Sequence, residues 1–277
     1  MGSLDEFSRE QSILSTLRST GRVVVSDLAS QFGVSTVTVR KDLESLERRS
    51  LLRRVRGGAI SLGASDEGSF ETRLGDSRLS KQAIARAASA LVCDGDVIAI
   101  DSSTTAFYFA REVLDRRNLV VVTNSVRVTA MLMERSTARV LVLGGVLRRS
   151  AGSLVGPTGD ALVSRGKIAK GFFGVVGLSA THGLMDISAE EAQTKRTLAE
   201  ACDQVYGLFD SAKVRGFGLH PFASPSAVTG LYTDDHAPED FATRWRQLDV
   251  PVTLVPLESC PTRGLKSEKE ASRGRGS

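Results

Sequence analysis

Apolar positions recur every three or four residues near the start of the chain and change to unbroken runs of four or five beyond residue 96. Ile13, Leu14 and Leu17 share one helical face, and Gly21 ends that helix. Leu28, Ala29 and Phe32 form the inner face of a short second helix, for which Ser26 is the expected cap. Gly33 breaks it, Val34 plugs the turn, and Ser35 caps a third helix running to about residue 49. With Val39 at zero on a wheel of about 100° per residue, Leu43 and Leu46 fall within about 40° of it, so these three point inward. Residues 51–60 have strand character, with Gly57-Gly58 for a tight bend. Two helices joined by a short turn, then a small basic ribbon, predict a winged helix-turn-helix over residues 6–61.

Residues 62–78 are polar and glycine-containing and read as a linker. From 79 to 258 helices alternate with strands that are apolar throughout. Strands are expected at 97–100, 119–122, 140–143, 172–176, 205–209, 231–233 and 252–255. Helices are expected at 81–91, 104–114, 126–134, 189–201 and 238–246. Such strands lie in a parallel sheet covered on both faces. The fold class is therefore α/β, a winged helix-turn-helix followed by a Rossmann-like, doubly wound parallel sheet. Residues 259–277 lack apolar periodicity and read as a disordered basic tail.

At 277 residues and 41% hydrophobic, the chain holds enough apolar material for about two cores. Three well-separated cysteines without metal-ligand spacing argue against a disulfide framework or a zinc module. Cys93 and Cys202, in Ala-rich contexts, read as small buried hydrophobes. His182 and His220 read as surface residues, and no motif calls for a metal or cofactor. No apolar run reaches the ~18–20 residues of a membrane span. A cytoplasmic protein is the expectation. The formal net charge is +4, and residues 34–60 alone carry seven basic and three acidic side chains, an equal excess. That placement favours an anionic polymer as partner.

The third helix supplies the chemistry for it. Ser35, Thr36, Val37 and Thr38, with Arg40 and Lys41, make its outward N-terminal half, and Arg48 extends that side. Small hydroxyls and methyls fit close to base edges, and the cations reach bases or phosphates. Arg53, Arg54 and Arg56 on the ribbon would lie along a phosphate backbone or minor groove. The competing reading is a small helical unit with a solvated charged face.

Asp101, Ser102, Ser103, Thr104 and Thr105 follow an apolar run and open a helix. Hydroxyls and backbone N–H groups there can cradle a phosphate, and open parallel sheets bind ligands beyond the carboxyl ends of their strands. Ordinary helix capping is the alternative. Thr123-Asn124-Ser125, Gly144-Gly145, Gly177 and Asp210 with Lys213 occupy the corresponding places after later strands. Together they would converge on one pocket. Glu190-Glu191 with Lys195 admits a catalytic pair, or an exposed i,i+4 ion pair worth a few tenths of a kcal/mol.

Arg9-Glu10-Gln11-Ser12-Ile13-Leu14, Asp27-Leu28-Ala29, Phe32-Gly33-Val34-Ser35 and Thr38-Val39-Arg40-Lys41-Asp42-Leu43-Glu44-Ser45-Leu46 resemble the DNA-binding domain of the DeoR/GlpR family of bacterial transcription regulators. The family's wing usually ends in His-Gly-Gly-Ala; here Arg56 takes the His place. Further on, Lys81 with Ile84-Ala85, Asp94-Gly95-Asp96, Leu143-Gly144-Gly145, Ser153-Leu154-Val155-Gly156-Pro157, Gly183 with Asp186, Glu191-Ala192 with Lys195-Arg196, and Thr233-Asp234 resemble the family's effector domain. The resemblance implies a fold similar to ribose-5-phosphate isomerase and a phosphorylated sugar or related metabolite as effector. It adds Asp186 and Lys195 to the site, makes Lys213 the ligand's charge partner, and gives Ser102, Ser103, Thr104 and Thr105 as donors. Ser103 stands where the family usually has Gly. The implied function is repression of a carbohydrate-catabolic operon by a homo-oligomer on a double-stranded DNA operator with paired half-sites. A sugar-phosphate isomerase-like enzyme is the alternative from another class.

Overall fold

The computed structural model describes residues 6–48, 52–61, 69–156, 167–216 and 218–257. The expected basic tail, Cys260 and residues 62–68 of the expected linker lie outside these residues.

The N-terminal unit runs α1 (Glu6–Thr20), β1 (Arg22–Val24), α2 (Val25–Phe32), α3 (Thr36–Arg48), β2 (Leu52–Val55) and β3 (Gly58–Ser61). Its core gathers Ile13, Leu17, Leu28, Phe32, Val39, Leu43, Leu46 and Leu52. These are the stripes that the helical period marks. Gly33 takes the left-handed conformation that closes α2, at φ 65°. Ser35 Oγ accepts from the Thr38 backbone N–H at 3.1 Å, as a helix cap does. Ser26 does not cap α2: Val24 occupies the N-cap in extended backbone, and the Ser26 hydroxyl bonds the Asp27 carboxylate instead. The reason is β1, a three-residue strand that periodicity is too short to reveal. It joins the ribbon in an antiparallel sheet of order β1-β3-β2. The strands approach so closely that a Cβ on Gly58 would sit 2.0 Å from the Val23 carbonyl oxygen. Only glycine fits.

The C-terminal unit is built on β4 (Val97–Ile100), β5 (Val120–Thr123), β6 (Arg139–Val142), β9 (Ile168–Phe173), β12 (Cys202–Leu208), β14 (Gly230–Asp234) and β15 (Val252–Val255). They form one seven-stranded sheet of order β15-β14-β12-β9-β4-β5-β6, parallel at every pairing. Helices α5 (Arg78–Ser89), α6 (Thr104–Glu112) and α7 (Val126–Arg135) bury Ile84, Phe109 and Leu132 against one face. Helices α8 (Ala189–Glu200) and α9 (Glu239–Arg246) bury Leu198, Phe241 and Trp245 against the other. The sheet is doubly wound, as the apolar runs of β4 and β5 lead one to expect; the strand expected at 172–176 forms instead at 168–173, its start hidden by Lys170 and Gly171.

Three features go beyond the periodicity. A hairpin, β7 (Val146–Arg148) and β8 (Ser153–Val155), and a second antiparallel sheet, β10 (Gly177–Ser179), β11 (Gly183–Asp186) and β13 (His220–Ala223), sit at the rim of the main sheet. Their strands are only three or four residues long and rich in glycine or polar residues, so no alternation can mark them. Within the stretch read as linker, Phe70–Gly75 forms a helix, α4, capped by Ser69 Oγ, which accepts from Thr72 N at 3.2 Å. Phe70, 1% exposed, packs edge-on to Phe107 with ring centres 5.5 Å apart, and this apolar anchor ties the segment to the sheet unit. Cys93 is exposed rather than buried. Cys202 is half-buried, and burial pushes its thiol up to about 12. Among the described residues, no helix is long and apolar enough to cross a membrane.

Candidate functional site

The outward half of α3 carries the residues its period assigns there. Ser35, Thr36, Val37, Arg40, Lys41 and Arg48 are exposed, Val37 at 58%, while Thr38 is half-buried with its hydroxyl 2.9 Å from Ser35 Oγ. Arg53, Arg54 and Arg56 are exposed on the wing. Arg54 is partly engaged: its backbone N–H donates to Glu47 Oε1 at 2.7 Å, and its guanidinium lies 3.9 Å from the same carboxylate. Asp42 is on this helix but not on this face. It is 2% exposed and accepts both Nε and Nη2 of Arg9, at 2.8 and 3.0 Å.

At the other unit, a pocket opens over the carboxyl ends of β4, β9 and β12. The strands stop there because the chain turns to small polar residues: Asp101-Ser102-Ser103 after β4, Gly174 after β9, and Asp210 after β12. Its walls include Ser102, Ser103, Thr104, Thr105, Asp186, Lys195, Asp210 and Lys213. Ser103 Oγ caps α6 by accepting from Ala106 N at 3.2 Å. A Cβ on Gly174 would meet Ser103 Oγ at 2.2 Å and its Cβ at 2.3 Å. The side chain at position 103 is therefore accommodated by the absence of one at 174.

Lys195 lies at the floor, 4% exposed. Its Nζ is 3.0 Å from Asp101 Oδ2 and 2.8 Å from Asp186 Oδ2, and it donates to the Gly174 carbonyl at 3.0 Å. Asp101 is held in turn by the backbone N–H groups of Ser103 and Gly174, at 3.0 and 2.9 Å. Glu191, 2% exposed, accepts from Arg148 Nη1 at 3.0 Å, from Ser102 Oγ and Asn124 Nδ2 at 3.3 Å each, and from Ser153 Oγ. The exposed Glu191–Lys195 pair expected from i,i+4 spacing is thus absent. Both side chains turn inward and take different partners, since burying either charge demands several donors or acceptors.

Besides Asp101, which pairs with Lys195, five expected residues stand outside these walls. Asn124 supports Glu191 from behind, and Ser125 caps α7 by accepting from Val128 N at 3.2 Å. Gly144 and Gly145 are exposed at the root of the β7–β8 hairpin, where a Cβ on Gly145 would sit 2.3 Å from the Val155 carbonyl oxygen. Gly177 lets the Gly216 carbonyl approach, a Cβ there falling 2.5 Å from it. These glycines set backbone spacing.

The walls also contain Arg22, Arg73, Asp76, Ser77, Lys81 and Arg148, which the strand-end pattern does not assign. Lys81 carries a legible signal: it shares the buried stripe of α5 with Ile84, Ala85 and Ala88. A lysine in an apolar stripe has to find partners. Its Nζ donates to the carbonyls of Asp76, at 2.7 Å, and of Arg73. Burial pushes its ammonium down to about 8, with Asp210 pulling the other way. Ser77, between α4 and α5, has φ 48°, a left-handed conformation uncommon outside glycine.

Residues 9–64 match the DeoR-like helix-turn-helix domain and residues 77–235 match the DeoR C-terminal sensor domain. The chain is 30% identical over 250 residues to a putative aga operon transcriptional repressor of Escherichia coli O157:H7, covering 89% of this chain and 93% of that one. It is 31% identical over 247 residues to the L-fucose operon activator of Haemophilus influenzae, covering 89% and 99%. Among solved structures it is similar to ribose 5-phosphate isomerase A from Neisseria gonorrhoeae, at 14% identity and a TM-score of 0.38, over 49% of this chain and 53% of that one. With a winged reading head before a pocketed parallel sheet, and both family domains matched in that order, this chain belongs to the DeoR family of DNA-binding transcriptional regulators.

Proposed function

We propose that this regulator represses a carbohydrate-catabolic operon and is controlled by a phosphorylated sugar or related metabolite bound over the carboxyl ends of β4, β9 and β12. The observation that carries the reading is the composition of that pocket. Buried Thr104 and Thr105 open α6 beside Ser102 and Ser103, and Lys213 and Lys81 stand in the same walls. Hydroxyls and N–H groups at a helix N-terminus, with cations nearby, suit a phosphate. The carboxylates of Asp186 and Glu191 offer acceptors for sugar hydroxyls.

Ser35, Thr36, Val37, Thr38, Arg40 and Lys41 read the major groove, while Arg48, Arg53, Arg54 and Arg56 hold phosphates. A homo-oligomer places two such heads on paired half-sites in the cytoplasm. The working division is a DNA-binding unit at 6–61 and a sensor at 79–258. The effector alters DNA affinity by as much as it prefers one arrangement of the two.

The test is fluorescence anisotropy with double-stranded DNA from upstream of the regulated operon, across salt and a panel of sugar phosphates. Tight binding with a steep salt slope, shifted by a phosphorylated sugar, supports the proposal. Steady turnover of a sugar phosphate by the purified protein, without DNA binding, overturns it in favour of an enzyme.

A further inference from the structure

The charges at the pocket fall into two groups. Lys195 is matched by Asp101 and Asp186, and Arg148 by Glu191, so these cations are paired within the protein with one carboxylate in excess. The other charged residues of the described lining are four cations, Arg22, Arg73, Lys81 and Lys213, against two carboxylates, Asp76 and Asp210. The excess of two there equals the charge of a phosphate monoester, about −1.5 to −2 near neutral pH.

These four cations come from three parts of the chain. Lys81 and Lys213 belong to the sheet unit, Arg73 to α4 and Arg22 to β1 of the winged sheet. Arg22 is exposed, pairs through its backbone with Ile60 of β3, and lies outside the recognition helix. Nothing in the winged fold calls for a cation at this place: the inward position of β1 is Val23.

Building on the sensor reading above, we propose that Arg22 is a ligand to the effector's phosphate, contributed by the DNA-binding unit to the sensor's pocket. The effector is then a physical link between the two units. The like charges among these four repel one another, and a bound dianion removes that repulsion. Because this contact exists only while the winged unit sits against the sensor, the ligand stabilises that arrangement over any other. DNA affinity changes to the extent that the operator demands a different placement of the heads. The orientation of the ligand follows too: phosphate toward Arg22, hydroxyls toward Asp186 and Glu191.

The test uses the full-length chain with Arg22→Ala, Arg22→Gln and Arg22→Lys. The probes are ribose 5-phosphate, glucose 6-phosphate, fructose 1-phosphate and inorganic phosphate. Calorimetry reads ligand affinity, and anisotropy reads the factor by which each probe changes DNA affinity, each variant against its own ligand-free value. The expected result is about a tenfold loss of probe affinity in Arg22→Ala and Arg22→Gln, the scale of one charge-assisted hydrogen bond at a partly exposed site. A comparable fall in the DNA factor and partial recovery in Arg22→Lys are expected with it. An equal loss for inorganic phosphate supports contact with the phosphate, whereas a loss confined to the sugar phosphates overturns that assignment. If wild type binds a probe and the Arg22 variants keep both affinity and factor, the inference fails while the sensor reading stands. If wild type binds none of the probes, both fall.

Discussion

Arg9 and Asp42, 33 residues apart, meet through two side-chain hydrogen bonds of 2.8 and 3.0 Å and fasten α1 to the recognition helix. Both side chains are nearly inaccessible, at 9% and 3%. The pair withdraws one acid from a stretch whose outer face carries Arg40, Lys41 and Arg48 against Glu44, and it fixes the rotation of α3 about its own axis. Asp42→Ala leaves the Arg9 guanidinium buried without its carboxylate. It should destabilise the winged unit by about 3–5 kcal/mol. Urea unfolding followed by far-UV circular dichroism measures this, and Arg9→Met with Asp42→Leu should recover much of the loss.

Arg40 and Lys41 lie next to that pair in sequence but face solvent. Their removal should leave the melting temperature almost unchanged. Each alanine variant should weaken operator binding and reduce the slope of log affinity against log salt by about one if its contact is to phosphate. A loss that depends on operator sequence marks a base contact instead. Unchanged binding in both variants would remove α3 from the interface.

Ser103 and Gly174 compete for one volume, and only one of them can carry a side chain. Gly174→Ala alone should cost about 1–3 kcal/mol by overpacking, and should weaken effector binding by displacing the loop that opens α6. Adding Ser103→Gly restores the space. The measurement is a double-mutant cycle in stability, in which a coupling energy near zero contradicts the packing argument.

Lys81 makes stability depend on pH in a stated direction. Its ammonium titrates near 8 in the folded chain against 10.5 in the unfolded one. Between those values the unfolded state binds more protons, so the folded state gains stability as pH rises. Asp210, Lys213, Asp76 and Arg73 are the charges that bear on it. Denaturation midpoints at pH 7.5 and 9.5 should rise for wild type relative to Lys81→Met. Binding of an anionic effector should weaken through the same window, with proton uptake detectable as a dependence of calorimetric heat on the buffer.

Much of the fold is legible because it follows from period. The stripe of Val39, Leu43 and Leu46 lines up on the inward side of α3, and the unbroken runs of β4 and β5 specify a parallel sheet, whereas β9 begins four residues before the expected 172 because Lys170 and Gly171 interrupt its apolar run. What escapes the period is short or solitary. β1 has three residues, and α4 hides in a polar stretch whose apolar anchor is the single ring of Phe70. The strand ends mark half of the pocket, since Ser102 to Thr105, Asp210 and Lys213 stand there. Arg73 and Arg22 reach it through tertiary placement alone, which no local pattern encodes. Glu191 and Lys195 show the opposite failing: a spacing that ordinarily means an exposed pair here carries two buried charges, each satisfied by other elements.

The central strand β9 pairs with β4, placing Lys170 opposite Ile98 about 70 residues earlier, whereas every strand pairing of the winged sheet closes within residues 22–61. Local pairings form quickly and the long-range ones of parallel sheets slowly. Since synthesis proceeds from the N-terminus at about 5–20 residues per second, the reading head can fold about 8–30 seconds before the wall bearing Asp210 and Lys213 leaves the ribosome. Each newly made molecule thus passes through an interval in which it is shaped to recognise its operator but has nowhere to receive the signal that governs it.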